Sequence, residues 1–213
     1  MDTDRLIGDL AGTLLPVKRL RPPLLRAALW LLWVFFVGLL AILHYANLHL
    51  FAQRMAVTRT ALECTATALT GIAAVIAAFM WSVPDRSPRW SLLPLPPFLL
   101  WLLASGLGCL RNGLSLHTGG SFIGESRHCV VFILGASVPL AAWLFAVLRR
   151  ARPINPEPVA ALGALGVAAL AAFFLQFFHP FDVTVIDLTL HLASVAAVIL
   201  AATALRRPLL MRL

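Results

Sequence analysis

Three cysteines (Cys64, Cys109, Cys129) and six histidines (His44, His49, His117, His128, His179, His191) are the side chains of this 213-residue chain suited to answering an oxidant or holding a soft metal ion. All nine fall in or beside three segments, near residues 44–64, 109–129 and 179–191, together with the carboxylates Glu63, Glu125, Asp182 and Asp187. Asp187 and His191 stand four apart and share a helix face. A carboxylate behind an imidazole is the usual support of a metal ligand, and it equally satisfies a buried histidine with no metal. His179 opens the turn that ends at Asp182, so along the axis it lies up to roughly 18 Å from His191. His179 with Asp182 or Asp187 is therefore the better geometry. The expectation is a transient metal site drawing on His179, Asp182 and His191, with no resident cofactor certain. Cys109 and Cys129 bracket one loop, and a disulfide between them is sterically allowed, which would leave Cys64 over. A lone thiol otherwise packs as a small hydrophobe. Signal sensing is assigned first to Cys129, then to Cys109 and Cys64, with His179, Asp187 and His191. No Cys-x-x-Cys, His-Glu-x-x-His or Gly-x-Ser-x-Gly occurs, so no catalytic residue is assigned and no enzyme is expected.

The elements that carry these residues are set by composition. Hydrophobic side chains make up 61% and charged ones 12%, and the mean hydropathy is +0.90. Such a chain lacks the polar residues to cover a soluble domain, and three cysteines are no disulfide framework. The net charge of +8 sits between apolar runs rather than along one polar face, which argues for headgroups and against nucleic acid. A span needs about 20 apolar residues, and period-two alternation is absent. Six stretches qualify, at about Arg26–Ala46, Thr60–Ser82, Leu92–Leu110, Cys129–Leu148, Pro158–Phe178 and Val183–Leu205. The third is crowded by Pro94, Pro96 and Pro97 and is expected to begin near Pro96; Pro139 should kink the fourth. Thirteen of the seventeen basic residues fall on the side that holds both termini, which makes that side cytoplasmic. The thiols and imidazoles then face the outer compartment, a periplasm in a bacterium. The fold class is an all-α integral membrane protein, a six-helix bundle. Its segments are 1–23 for a cytoplasmic partner, 24–205 for the spans and 206–213 for a basic tail.

Small residues recur every fourth position in the second span (Ala66, Thr70, Ala74, Ala78), the fifth (Ala160, Ala164, Ala168, Ala172) and the sixth (Ala193, Ala197, Ala201). Such stripes let helix backbones approach in lipid, so these three helices are expected at the centre. Trp30, Trp33, Phe35 and Phe36 make the first span bulky and suit it to face lipid. Before it, Leu6, Ile7, Leu10, Ala11 and Leu14 form an apolar stripe at helical spacing, ended by Pro16. So short a helix is marginal alone in water and must dock. Its polar face is acidic (Asp2, Asp4, Asp9), which anionic headgroups repel, so the expected dock is a groove on a partner protein. Leu6, Leu10 and Leu14 would fill the groove, and Arg19 and Arg21 would meet acidic patches.

Leu6-x-x-Asp9-Leu10, followed by Pro16-Val17-Lys18-Arg19-Leu20-Arg21-Pro22-Pro23 and a span directly after it, resembles the NrsF-type family of bacterial inner-membrane anti-sigma factors. The resemblance covers essentially the whole chain. It implies a six-helix inner-membrane protein, both termini cytoplasmic, whose N-terminus holds an extracytoplasmic-function (ECF) sigma factor inactive. It further implies release on heavy-metal or oxidative stress through periplasmic-side cysteines, of which Cys129 matches the first. The family's second precedes a proline at the start of the last span, where this chain reads His179-Pro180. A Cys/His metal site, or use of Cys64 or Cys109, would replace the two-cysteine switch. The competing classes are a small transporter, which would want charges or broken helices at mid-bilayer, and a membrane thiol oxidoreductase, which would want a cysteine pair. Oligomeric state is left open.

Overall fold

The computed structural model describes residues 3–12, 14, 19–112, 122–178 and 185–211, the side chains of 108–112, 122–128 and 185–187 excepted. Every element among them is helical: α1 (Thr3–Gly12), α2 (Pro23–Tyr45), α3 (Leu48–Met55), α4 (Thr58–Trp81), α5 (Leu95–Asn112), α6 (Phe122–Leu148), α7 (Pro156–Leu175), α8 (Val185–Ala204) and α9 (Arg206–Leu210). Two single 3-10 turns, Pro88–Leu92 and Arg149–Ala151, join α4 to α5 and α6 to α7. Five helical segments are long and apolar enough to cross a membrane; the described part of the sixth apolar helix, Leu188–Ala204, is shorter. Prolines stand where a helix can accept them, in the first turns of α2, α5 and α7, where no intrahelical bond is lost. Pro139 lies inside α6, as the sequence requires.

The centre is the α4–α7 pair. Around it, α5 and α2 pack on α4, and α6 and α8 pack on α7. The stripes expected on α4 and α7 are there: Ala66, Thr70, Ala74 and Ala78 are buried, as are Ala160, Ala164 and Ala168. Two glycines set the closest approach. A Cβ on Gly166 would stand 2.7 Å from Val75 Cγ2, 3.0 Å from the Val75 nitrogen and 3.2 Å from the Gly71 carbonyl oxygen. One on Gly71 would stand 2.7 Å from Leu170 Cγ. Hydroxyls within this pair are satisfied in their own helix, Thr67 donating to the Glu63 carbonyl (2.6 Å) and Thr70 to that of Ala66 (2.7 Å). Neither hydroxyl therefore needs a partner across the contact.

Two expectations fail in instructive ways. The α8 stripe is not central, since Ala193, Ala197 and Ala201 are all exposed. Nor does all the bulk of α2 face outward. Ala27, Trp30 and Val34 are buried at spacings of three and four, and Phe35 meets Phe173 and Phe174 edge-on at 6.0 and 5.9 Å. Phe174 in turn fills the space over Gly38. Trp33 and Phe36 do face out, with Leu32, Leu39 and Leu40. Large exposed apolar side chains continue on α5 (Leu103, Leu107), α6 (Val131, Val138) and α8 (Leu200). A girdle of this extent is unfavourable in water and natural in lipid.

Candidate functional site

The chemistry-bearing residues divide between the two ends of the bundle. At the end that carries the N-terminus, α1 has no buried residue: Leu6, Ile7 and Leu10 are 41%, 58% and 58% exposed, and Asp9 is exposed beside them. Three large apolar side chains on one short helix are thus largely exposed. Leu14 lies past the helix end at Gly12, although its N–H still bonds the Ala11 carbonyl at 3.3 Å. Arg19 and Arg21, in the connector just ahead of α2, are exposed and border a cavity beside the first turns of α2 and the last turn of α6. Arg26, one turn into α2, is buried; it donates to the Val147 carbonyl near the end of α6, and its guanidinium lies 5.2 Å from the Phe79 ring centre. That contact ties the first helix after the connector to both α6 and the α4 core. The carbonyl it takes is one of the last in its helix, where a cation is favourable.

The opposite end carries thiols and imidazoles. Cys129 is 1% exposed and packs with Ile133 of α6 and Leu175 of α7; Cys64 on α4 is a free thiol, also buried. Both stand on helices of the central packing, so a reagent reaches them only when those helices part. Glu63, beside Cys64, is buried and accepts an ion pair from Arg59 at 3.8 Å, one turn away. His191 is half-buried on α8, with Asp187 one turn earlier on the same helix. His179 and Asp182 lie outside the described residues, as do the side chains of Asp187 and Cys109. Among the described residues no group of three His, Cys, Asp or Glu could hold a metal ion. His44 and His49 are exposed, the former edge-on to Tyr45 at 4.5 Å, as suits interfacial side chains.

Sequence reasoning missed one element at this end. The short helix α3 is capped by Asn47, whose side chain accepts from the Leu50 N–H at 3.2 Å. It lies over the end of α7: Phe51 stacks on Phe177 (4.1 Å between centroids), and Arg54 donates to the Gln176 carbonyl at 3.3 Å. Asn47 ahead of Leu48, Phe51, Ala52 and Met55 was the available signal.

The described residues thus set a long apolar bundle between an exposed amphipathic helix at one end and buried thiols at the other. No curated protein and no solved structure matches the chain. Residues 10–212 match one known family, NrsF, described as negative regulator of sigma F, and the match begins inside α1. By that match over nearly the whole sequence, the chain belongs to the NrsF family of negative regulators of a sigma factor.

Proposed function

We propose that the protein is a membrane-bound anti-sigma factor that holds an ECF sigma factor at the cytoplasmic face of a bacterial inner membrane. In this reading the chain crosses six times, α8 included, with both termini inside. Residues 1–23 are the gripping segment: Leu6, Ile7, Leu10 and Leu14 enter a groove of the sigma factor, while Asp9, Arg19 and Arg21 make polar contacts around it. The observation that carries the proposal is the exposed apolar face of α1 on a chain whose family regulates a sigma factor. An amphipathic helix laid in a groove is a common mode of recognition, and a helix this short gains its stability from the partner.

The far end receives the signal. Cys129, with Cys64, Cys109, His179, Asp187 and His191, responds to a heavy-metal ion or an oxidant in the periplasm. Modification of Cys129 changes the α6–α7 contact at Leu175. Because Arg26 links α2 to the other end of α6, a movement of α6 is passed to α2 and its connector. Release by a factor of ten to a hundred needs only about 1–3 kcal/mol of coupling between the ends.

Removing residues 1–22 tests the proposal with a reporter of sigma-dependent transcription. The shortened protein should insert normally and leave the reporter fully on. A reporter that stays repressed contradicts it. A transporter or thiol oxidoreductase would keep its activity without those residues.

A further inference from the structure

The cavity beside the connector is about 840 Å³ in volume and has two unlike walls. One is cationic: Arg19 and Arg21 come from the connector, Arg26 from α2, and Arg149, Arg150 and Arg152 from the turn between α6 and α7. No Asp or Glu among the described residues borders it. The other wall is apolar and aromatic, made by Leu29, Trp30, Trp33 and Trp143. Trp33 and Trp143 lie 5.8 Å apart between ring centres, both are exposed, and they continue into the outward apolar face of α2. The indole N–H of Trp30 is buried with no hydrogen-bond partner among the described residues. Arg152 holds a left-handed backbone, φ 47, which a glycine would adopt without strain. The turn thus sets a third arginine at the cavity in spite of its backbone.

We propose that this cavity is a binding site for an acidic phospholipid. The phosphate ester sits among Arg149, Arg150 and Arg152 of the α6–α7 turn, and the acyl chains leave past Leu29, Trp33 and Trp143. Arginine forks pair with phosphate oxygens bidentately, and a basic pocket between helix ends with tryptophans at headgroup depth is how a membrane protein selects an anionic lipid. The volume lies in the range of small-molecule sites. An acidic protein segment would engage the arginines and leave the tryptophan wall unused. Arg26 is already committed to Val147 and Phe79, so it supports the site rather than supplying the main phosphate contact. The inference does not rest on the sigma-factor reading, because no sigma factor enters its test.

The test uses the full chain in phosphatidylcholine nanodiscs, titrated with brominated phosphatidylglycerol while tryptophan fluorescence is followed. Saturable quenching at low mole fraction is expected, with brominated phosphatidylcholine much weaker and millimolar inorganic phosphate unable to displace the lipid. Replacing Arg149, Arg150 and Arg152 together by Gln, which leaves Arg19 and Arg21 in place, should weaken the lipid about a hundredfold, roughly fivefold per arginine. Arg206→Gln with Arg207→Gln removes two charges at the same end outside the cavity and should change little. Equal quenching by both lipids, displacement by phosphate, or an equal loss in the Arg206/Arg207 variant would each overturn the proposal. A thermal melt of the triple variant close to that of the parent shows that any loss is not unfolding.

Discussion

Gly166→Ala is the sharpest test of how α4 and α7 meet. Its new methyl would stand 2.7 Å from Val75 Cγ2, a stiff β-branched atom, and 3.0 and 3.2 Å from backbone atoms of Val75 and Gly71. Turning Val75 about χ1 would leave both backbone contacts in place, so α4 itself must shift. Overpacking of this kind costs about 1–3 kcal/mol. Alanine also gains up to about 1 kcal/mol over glycine in helix propensity, so the net loss is smaller than the clash. Gly106→Ala on α5 isolates the second effect, because nothing lies within 4 Å of its added Cβ. The difference between the two variants is the contact cost alone. By thermal unfolding in mild detergent, followed by circular dichroism, Gly106→Ala should melt at or slightly above the parent and Gly166→Ala several degrees lower. Equal melting temperatures would refute the close crossing.

Two further outcomes follow from the same structure. Arg26→Ala removes a charged hydrogen bond to the Val147 carbonyl and a cation–ring contact with Phe79, a loss of about 2–4 kcal/mol that Arg26→Lys should recover only in part; a variant that melts with the parent would contradict the contact. In a Cys109→Ser background, Cys129 and Cys64 should react with a membrane-permeant maleimide far more slowly in the folded protein than after denaturation in SDS, since they are 1% and 6% exposed. Fast labelling of the folded form would place them elsewhere.

The sequence made the helices and the central pair readable, because small residues at four-residue spacing describe a smooth face directly. Smoothness does not say whether a face is occupied, however. Ala193, Ala197 and Ala201 have the same spacing as their buried counterparts on α4 and α7 and stay exposed. Gly71 and Gly166, the closest contacts, escaped an argument built on alanine and threonine. Trp30 was misplaced because size was weighed without phase: it shares a face with Ala27 and Val34, both buried. The α1 stripe was legible from its spacing, and the helix forms there with no buried residue. The arginine cavity was not legible. Arg19 and Arg149 are 130 positions apart, and only the folded chain brings them to one wall. In sequence the charge of Arg149 spoke for orientation alone, and that of Arg19 for orientation and for acidic patches on a partner.

The proposed grip of α1 on a sigma factor is tested by recovering the tagged full-length protein from native membranes and identifying what comes with it by mass spectrometry, parent against Leu10→Asp. A leucine buried at an interface contributes about 1.5–3 kcal/mol, and a carboxylate in its place adds a desolvation cost. The sigma factor should therefore accompany the parent and fall at least about tenfold in the variant, with the yield of membrane protein unchanged. Equal recovery of the sigma factor with parent and variant would contradict the account.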